Sequence, residues 1–134
     1  GLGLIGGSYC KAITSYTNHE VYGLNRNQKV IEDAVKCGCI IRGADTSELD
    51  LFDMVIVCLH PQPTEQFMRD NMSKFKKGCI LTDVCGIKGQ MTINMTKLAA
   101  EHGVNYVGTH PMQAKSVSVL IFQTAHCLSV LILS

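Results

Sequence analysis

The sequence predicts an α/β domain built on a parallel, doubly wound sheet. Three observations carry that expectation. Apolar stretches of strand length alternate with stretches of helical periodicity. One apolar run, DMVIVCL at 53–59, is continuous rather than alternating, as in a strand buried on both faces. The chain also opens on GLGLIGGS, a glycine-rich turn that runs straight into a helical pattern.

The elements follow in order. Residues 7–17 carry a helical pattern, and EVYGLN at 20–25 reads as a short buried strand. NQKVIEDAVKCG at 27–38 is helical and stops on Gly38. After the 53–59 strand, PTEQFMRDNMSKFKKG at 63–78 predicts a helix with basic residues near its end, closed by Gly78. CILTD at 79–83 is a strand, QMTINMTKLAAEHG at 90–103 a helix, and VNYVGTHPM at 104–112 a strand leading into a loop. No repeat, low-complexity segment or linker interrupts residues 1–112.

Composition narrows the function. The 134 residues are 46% hydrophobic and 17% charged, with a net charge of +1. That suits a globular domain and offers no basic stripe for nucleic acid. Seven cysteines, at 10, 37, 39, 58, 79, 85 and 127, lie mostly in apolar runs. They read as reduced, buried small hydrophobes of a cytoplasmic protein. The CGC at 37–39 lacks the C-x-x-C spacing of zinc or redox sites, so no metal is expected. The apolar tail VSVLIFQTAHCLSVLILS is broken by Gln123, Thr124 and His126 and is not expected to anchor in a membrane.

Gly1, Gly3 and Gly6 have the G-x-G-x-x-G spacing of a dinucleotide-binding loop. The first glycine allows the tight turn, the second the close approach of a pyrophosphate, and the third helix–strand packing. The helix that follows offers free N–H groups and a positive dipole end to the phosphates. Gly1, Gly3, Leu4, Ile5 and Gly6 are therefore expected at a cofactor, in a Rossmann-type domain. In such a domain the loop follows a central strand, and no residue precedes Gly1. The expectation is a fragment lacking its first strand, and badly destabilised because the strands on either side lose their shared neighbour.

Asn25 ends the second strand where NAD-specific domains carry a carboxylate, and Arg26 follows. Loss of the carboxylate removes a repulsion against a 2′-phosphate, yet asparagine can still bond a ribose. NAD and NADP stay equally open. Leu59 ends the 53–59 run and His60 follows it, and both are expected to border the cofactor. Asp50 and Asp53, at its start, read as solvated.

GLGLIGGS, VYGLNRN, TDVCGIK at 82–88 and GTHPM at 108–112 together resemble the nucleotide-binding domain of the prephenate/arogenate dehydrogenase family, over about residues 1–118. The resemblance implies oxidative decarboxylation of prephenate to 4-hydroxyphenylpyruvate, or of arogenate to tyrosine, with NAD or NADP. It implies that His110 is the catalytic histidine, accepting the proton of the substrate's 4-hydroxyl as hydride leaves. It places Asp83 and Gly86 beside the nicotinamide, with Lys88 starting the next helix. Many family members have serine where this chain has Gly86. The family's helical dimerisation domain is expected to be absent here, and the parent enzyme to be a homodimer acting on a small-molecule substrate. After HPM the pattern fades, leaving 119–134 as an unrecognised apolar tail, as a frameshift would produce. Other readings are a different Rossmann dehydrogenase, of the β-hydroxyacid kind, or a non-catalytic dinucleotide-binding remnant.

Overall fold

The computed structural model describes residues 2, 4–86, 89–110 and 129–133. Helix α1 spans Leu4–Tyr16, strand β1 Glu20–Leu24 and helix α2 Gln28–Lys36. Strand β2 is Met54–Val57, helix α3 Pro61–Asn71, strand β3 Ile80–Asp83, helix α4 Gly89–Glu101 and strand β4 Asn105–Gly108. A last strand, β5, is Ser129–Leu133. No helix among the described residues is long and apolar enough to cross a membrane.

Local chemistry fixes these boundaries. Asn27 caps α2, its carboxamide oxygen accepting from the Lys29 N–H at 3.1 Å. Pro61 begins α3, where a missing N–H costs nothing. The helix expected over 63–78 is regular only to Asn71. A 3₁₀ turn at Met72–Lys74 follows, and Phe75 is extended. Met72 and Phe75 both reach the core by this route. Gly78, with φ of +81°, then turns the chain into β3.

The five strands among the described residues are all parallel, in the order β1-β5-β2-β3-β4. Residues 41–44 run along the outer edge of β1, where Ile41 N–H donates to Val21 at 2.8 Å and Ala44 N–H to Gly23 at 2.9 Å. With that edge segment included, the order is that of a doubly wound sheet. The central place belongs to β5. The place beside the glycine loop is filled by the segment that reads from sequence as a stray tail. Residues 129–133, beyond the boundary expected at 118, pair in this sheet.

The run SVLIL suits that place because both faces of β5 are covered. Val130 and Ile132 pack with Cys10, Ile13 and Ile31 on the side of α1 and α2. Leu131 and Leu133 pack with Met68, Met72 and Met95 on the side of α3 and α4. No residue from Val130 to Leu133 is more than 4% exposed. Alternating polarity would bury a polar side chain on one face, so a continuous apolar run is required.

Asp53 holds the start of β5. Its backbone N–H donates to Ser129 O at 2.9 Å, and its carboxylate accepts from Ser129 N–H at 3.0 Å and pairs with Lys76 at 2.6 Å. It is not the solvated residue its sequence position suggests. The Lys76 ammonium and the Ser129 N–H hold its pKa below the ordinary carboxylate value. A depressed folded-state pKa adds stability above the unfolded pKa and loses it as pH falls through the folded one. Asp53→Asn is expected to cost about 0.5–1 kcal/mol at neutral pH, given the pair's exposure. In urea melts the gap from the parent should close as the solution is acidified. A gap independent of pH would contradict the charge pairing.

Candidate functional site

The pairing registers put five residues in one row across the sheet: Leu24, Leu133, Val57, Asp83 and Gly108. Each is the last residue of its strand, so the row is the sheet's carboxyl edge. Residues expected at the site from sequence lie one to three positions beyond it: Asn25 and Arg26, Leu59 and His60, Gly86, and His110. Strand ends in register are what gather loops so distant in the chain.

A cavity of about 890 Å³ opens at this edge. Leu133 of β5 and Cys58 after β2 both line it. It therefore lies between the two central strands, where the strand order of a doubly wound sheet reverses and ligands bind. Ile5, from the first turn of α1, lines it too, so the amino end of that helix faces the cavity. Asn25, Arg26, Leu59, His60 and Gly86 complete the part anticipated from sequence. Gly6 is buried in the first turn of α1. Gly1 and Gly3 lie outside the described residues, as do Lys88, the chain from 111 to 128 and the side chain of Leu4.

Asn25 is already half committed. Its side-chain oxygen accepts from the Asn27 N–H at 2.7 Å. The carboxamide N–H₂ is thus the end available to a ribose hydroxyl or phosphate, beside the exposed Arg26. Burial pushes the Cys58 thiol up to about 12, which keeps this part of the wall uncharged.

Asp83, expected beside the nicotinamide, is not among the residues that line the cavity. It is fully buried. One carboxylate oxygen accepts from the Tyr106 hydroxyl at 2.6 Å, the other from the Cys85 N–H at 2.7 Å. Burial and the neighbouring carboxylate both raise the Tyr106 pKa, so the phenol remains a donor. Asp83 fixes the shape of the 84–86 loop, and its backbone carbonyl accepts from the Thr109 hydroxyl and N–H. The residue before His110 is in this way tied to the loop that carries Gly86.

That tie brings two expected site residues together. A Cβ at position 86 would sit 2.7 Å from Cε1 and 3.0 Å from Nδ1 of the His110 imidazole. The absence of a side chain on Gly86 is what lets the exposed ring lie against the loop. Gly86→Ala is expected to displace the ring and shift its Cε1–H proton resonance. Stability should change by less than about 0.5 kcal/mol, because an exposed ring can move. An unchanged resonance would mean the ring does not rest there in solution.

Sequence reading missed the opposite wall. Pro63, Phe67, Asp70 and Asn71 of α3 all line the cavity. Asn71 is buried, its N–H₂ donating to Phe67 O at 2.9 Å and its oxygen accepting from Lys74 at 2.9 Å. The Cys85 thiol, also buried, lies 3.5 Å from the Thr64 hydroxyl and locks the loop to α3.

Comparison with known proteins agrees with this architecture. The model of the family described as prephenate dehydrogenase, nucleotide-binding domain, matches residues 10–118. A crystal structure of prephenate dehydrogenase from Aquifex aeolicus superimposes with a TM-score of 0.74 at 22% identity, over 86% of this chain and 42% of that one. A second, of the A. aeolicus enzyme in complex with hydroxyphenyl propionate and NAD+, gives 0.73 at 21% identity, over 87% and 41%. The chain thus spans about two-fifths of the length of those proteins. No curated protein matches it. With a doubly wound sheet, a cavity at its reversal point and a family match over most of its length, this chain belongs to the prephenate dehydrogenase family, through the nucleotide-binding domain.

Proposed function

We propose that the cavity binds a nicotinamide dinucleotide, NAD or NADP, and that the domain serves the oxidative decarboxylation of prephenate or arogenate, with His110 as the base. One observation carries this reading. The register row gathers the amino end of α1, Asn25 and Arg26, Leu59, and the Gly86–His110 contact at one edge of the sheet. The residues fit the cofactor: a helix amino end suits a pyrophosphate, Asn25 and Arg26 suit a ribose or its 2′-phosphate, and Leu59 and Ile5 suit a flat ring.

The nicotinamide, when bound, supplies the acceptor for hydride. This chain's residues then have two tasks. The walls position the reacting ring, a contribution that well-ordered sites make large. His110, held through Thr109 against the 84–86 loop, accepts the 4-hydroxyl proton as the ring becomes aromatic. A homodimeric, cytoplasmic parent enzyme, with no nucleic-acid or membrane partner, accompanies this reading.

Fluorescence titration of the chain with NADH and NADPH tests the cofactor part. Both are expected to bind, with dissociation constants within about tenfold of each other, since no carboxylate stands at position 25. Arg26→Ala should weaken NADPH more than NADH. Binding of neither would remove the reading.

One observation favours a second reading, a dinucleotide-binding domain without catalysis. Among the described residues, Arg26 is the only arginine or lysine lining the cavity, a poor clamp for a dicarboxylate. A longer protein carrying this domain that binds NADH yet never turns over prephenate or arogenate would establish it.

A further inference from the structure

Away from the cavity at the sheet's edge, the end of α2 brings two thiols together. Cys37 caps the helix, its N–H donating to Asp33 O at 3.0 Å. Gly38 follows with φ of +70°, a left-handed conformation that glycine adopts freely. Cys39 N–H then reaches back to Ala34 O at 3.0 Å. Folding back in this way leaves Sγ of Cys37 and Sγ of Cys39 only 2.9 Å apart, sharing a hydrogen bond.

Both cysteines line a second cavity, of about 330 Å³, whose walls include the buried Cys10 and, from the glycine loop, Leu2. The Thr14 hydroxyl donates to Cys39 O at 3.1 Å and fastens the turn to α1. Cys37 is exposed and Cys39 partly so. One sulfur can therefore be approached from solvent while the other stands directly behind it.

We propose that Cys37 and Cys39 are a redox-responsive dithiol, which closes to an intramolecular disulfide by exchange with a low-molecular-weight disulfide such as oxidised glutathione. In the first step the Cys37 thiolate attacks one sulfur of glutathione disulfide. A Cys37–glutathione bond forms and one glutathione thiolate leaves. In the second step Cys39 gives its proton to solvent and attacks Sγ of Cys37, forming the Cys37–Cys39 bond and releasing the second glutathione thiolate. The protein loses two electrons, and one glutathione disulfide becomes two glutathiones.

Exposure of Cys37 assigns the order of attack, and electrostatics agree with it. The thiol–thiol hydrogen bond shared with Cys39, and that with its backbone N–H, hold the Cys37 pKa below the ordinary thiol value. The same pairing raises Cys39. Thiolate attacks and thiol does not, so the exposed sulfur goes first. A ring closed across one intervening residue is small and exposed, which places it among readily reversed disulfides.

The chain itself provides the test. It is treated with glutathione disulfide without oxygen, quenched in acid, alkylated with iodoacetamide and digested with trypsin. Cleavage after Lys36 and Arg42 yields CGCIIR, which carries both sulfurs. The expected peptide is lighter than the dithiol by two hydrogens, with no alkyl group and no glutathione. In Cys39→Ser the glutathione should remain on Cys37. In Cys37→Ser, Cys39 should stay reduced and be alkylated. A doubly alkylated peptide from the parent chain, or a glutathione adduct that persists in it, would overturn the proposal. Circular dichroism of each variant separates these outcomes from unfolding.

Discussion

Replacing Leu131 by aspartate is expected to leave the chain unfolded at room temperature. Leu131 is the middle residue of β5, paired in register with Tyr22 on one side and Val55 on the other. It has no exposed surface and packs into the cluster of Met68, Met72 and Met95. A carboxylate there has no cationic partner among the residues of that cluster, and an isolated buried charge costs several kcal/mol even after relaxation. Domains of this size have about 5–15 kcal/mol in all. Leu131→Ala, which leaves a cavity but no charge, should cost about 2–5 kcal/mol and give a lower but still cooperative melt. Leu51→Asp is the control, since Leu51 is 56% exposed, and it should melt within about 0.5 kcal/mol of the parent. Circular dichroism melts of the three variants decide the matter. If Leu131→Asp melts like the Leu51 control, β5 is not the centre of the sheet.

The second large effect concerns chemistry. In an active longer enzyme carrying this domain, His110→Asn is expected to lower kcat by about 10²-fold or more. Asparagine can still occupy the space beside Gly86 and accept a hydrogen bond, but it cannot take up a proton. The loss should fall on kcat, with KM moving little, because the walls that bind the ring are untouched. Steady-state rates with saturating cofactor provide the measurement. A loss under about tenfold would take the proton-transfer role away from His110 and leave it as a positioning residue.

Much of the domain was legible from sequence because its signals are local. Helix α2 announces itself through Asn27 and Gly38, and β2 through an unbroken apolar run. Asn25, Arg26, Leu59 and Gly86 could be placed at one edge because strand ends in a parallel sheet lie together. What escaped were pairings between distant residues. SVLIL reads only as part of an apolar tail, and nothing local says that it enters the sheet between β1 and β2. Asp83 looks like a site carboxylate until Tyr106, 23 residues on, is seen to consume one of its oxygens. Asp53 looks solvated until Ser129 and Lys76 arrive. The contact between Gly86 and His110 likewise depends on Thr109 returning to Asp83.

The position of β5 has a consequence for how the protein is made. Among the described strands the central one is synthesised after the other four, and the sheet pairs residue 20 with residue 129. While the ribosome completes the intervening chain, β1 and β2 each present an unsatisfied edge toward the same vacant slot. Helices can form early, but the two halves of the core cannot close on one another, and such long-range pairing is slow. An open slot between two parallel edges will accept any apolar strand that arrives, including one from a neighbouring nascent chain. Yield in the cell should therefore depend on the concentration of chains under synthesis and on chaperones that shield the slot.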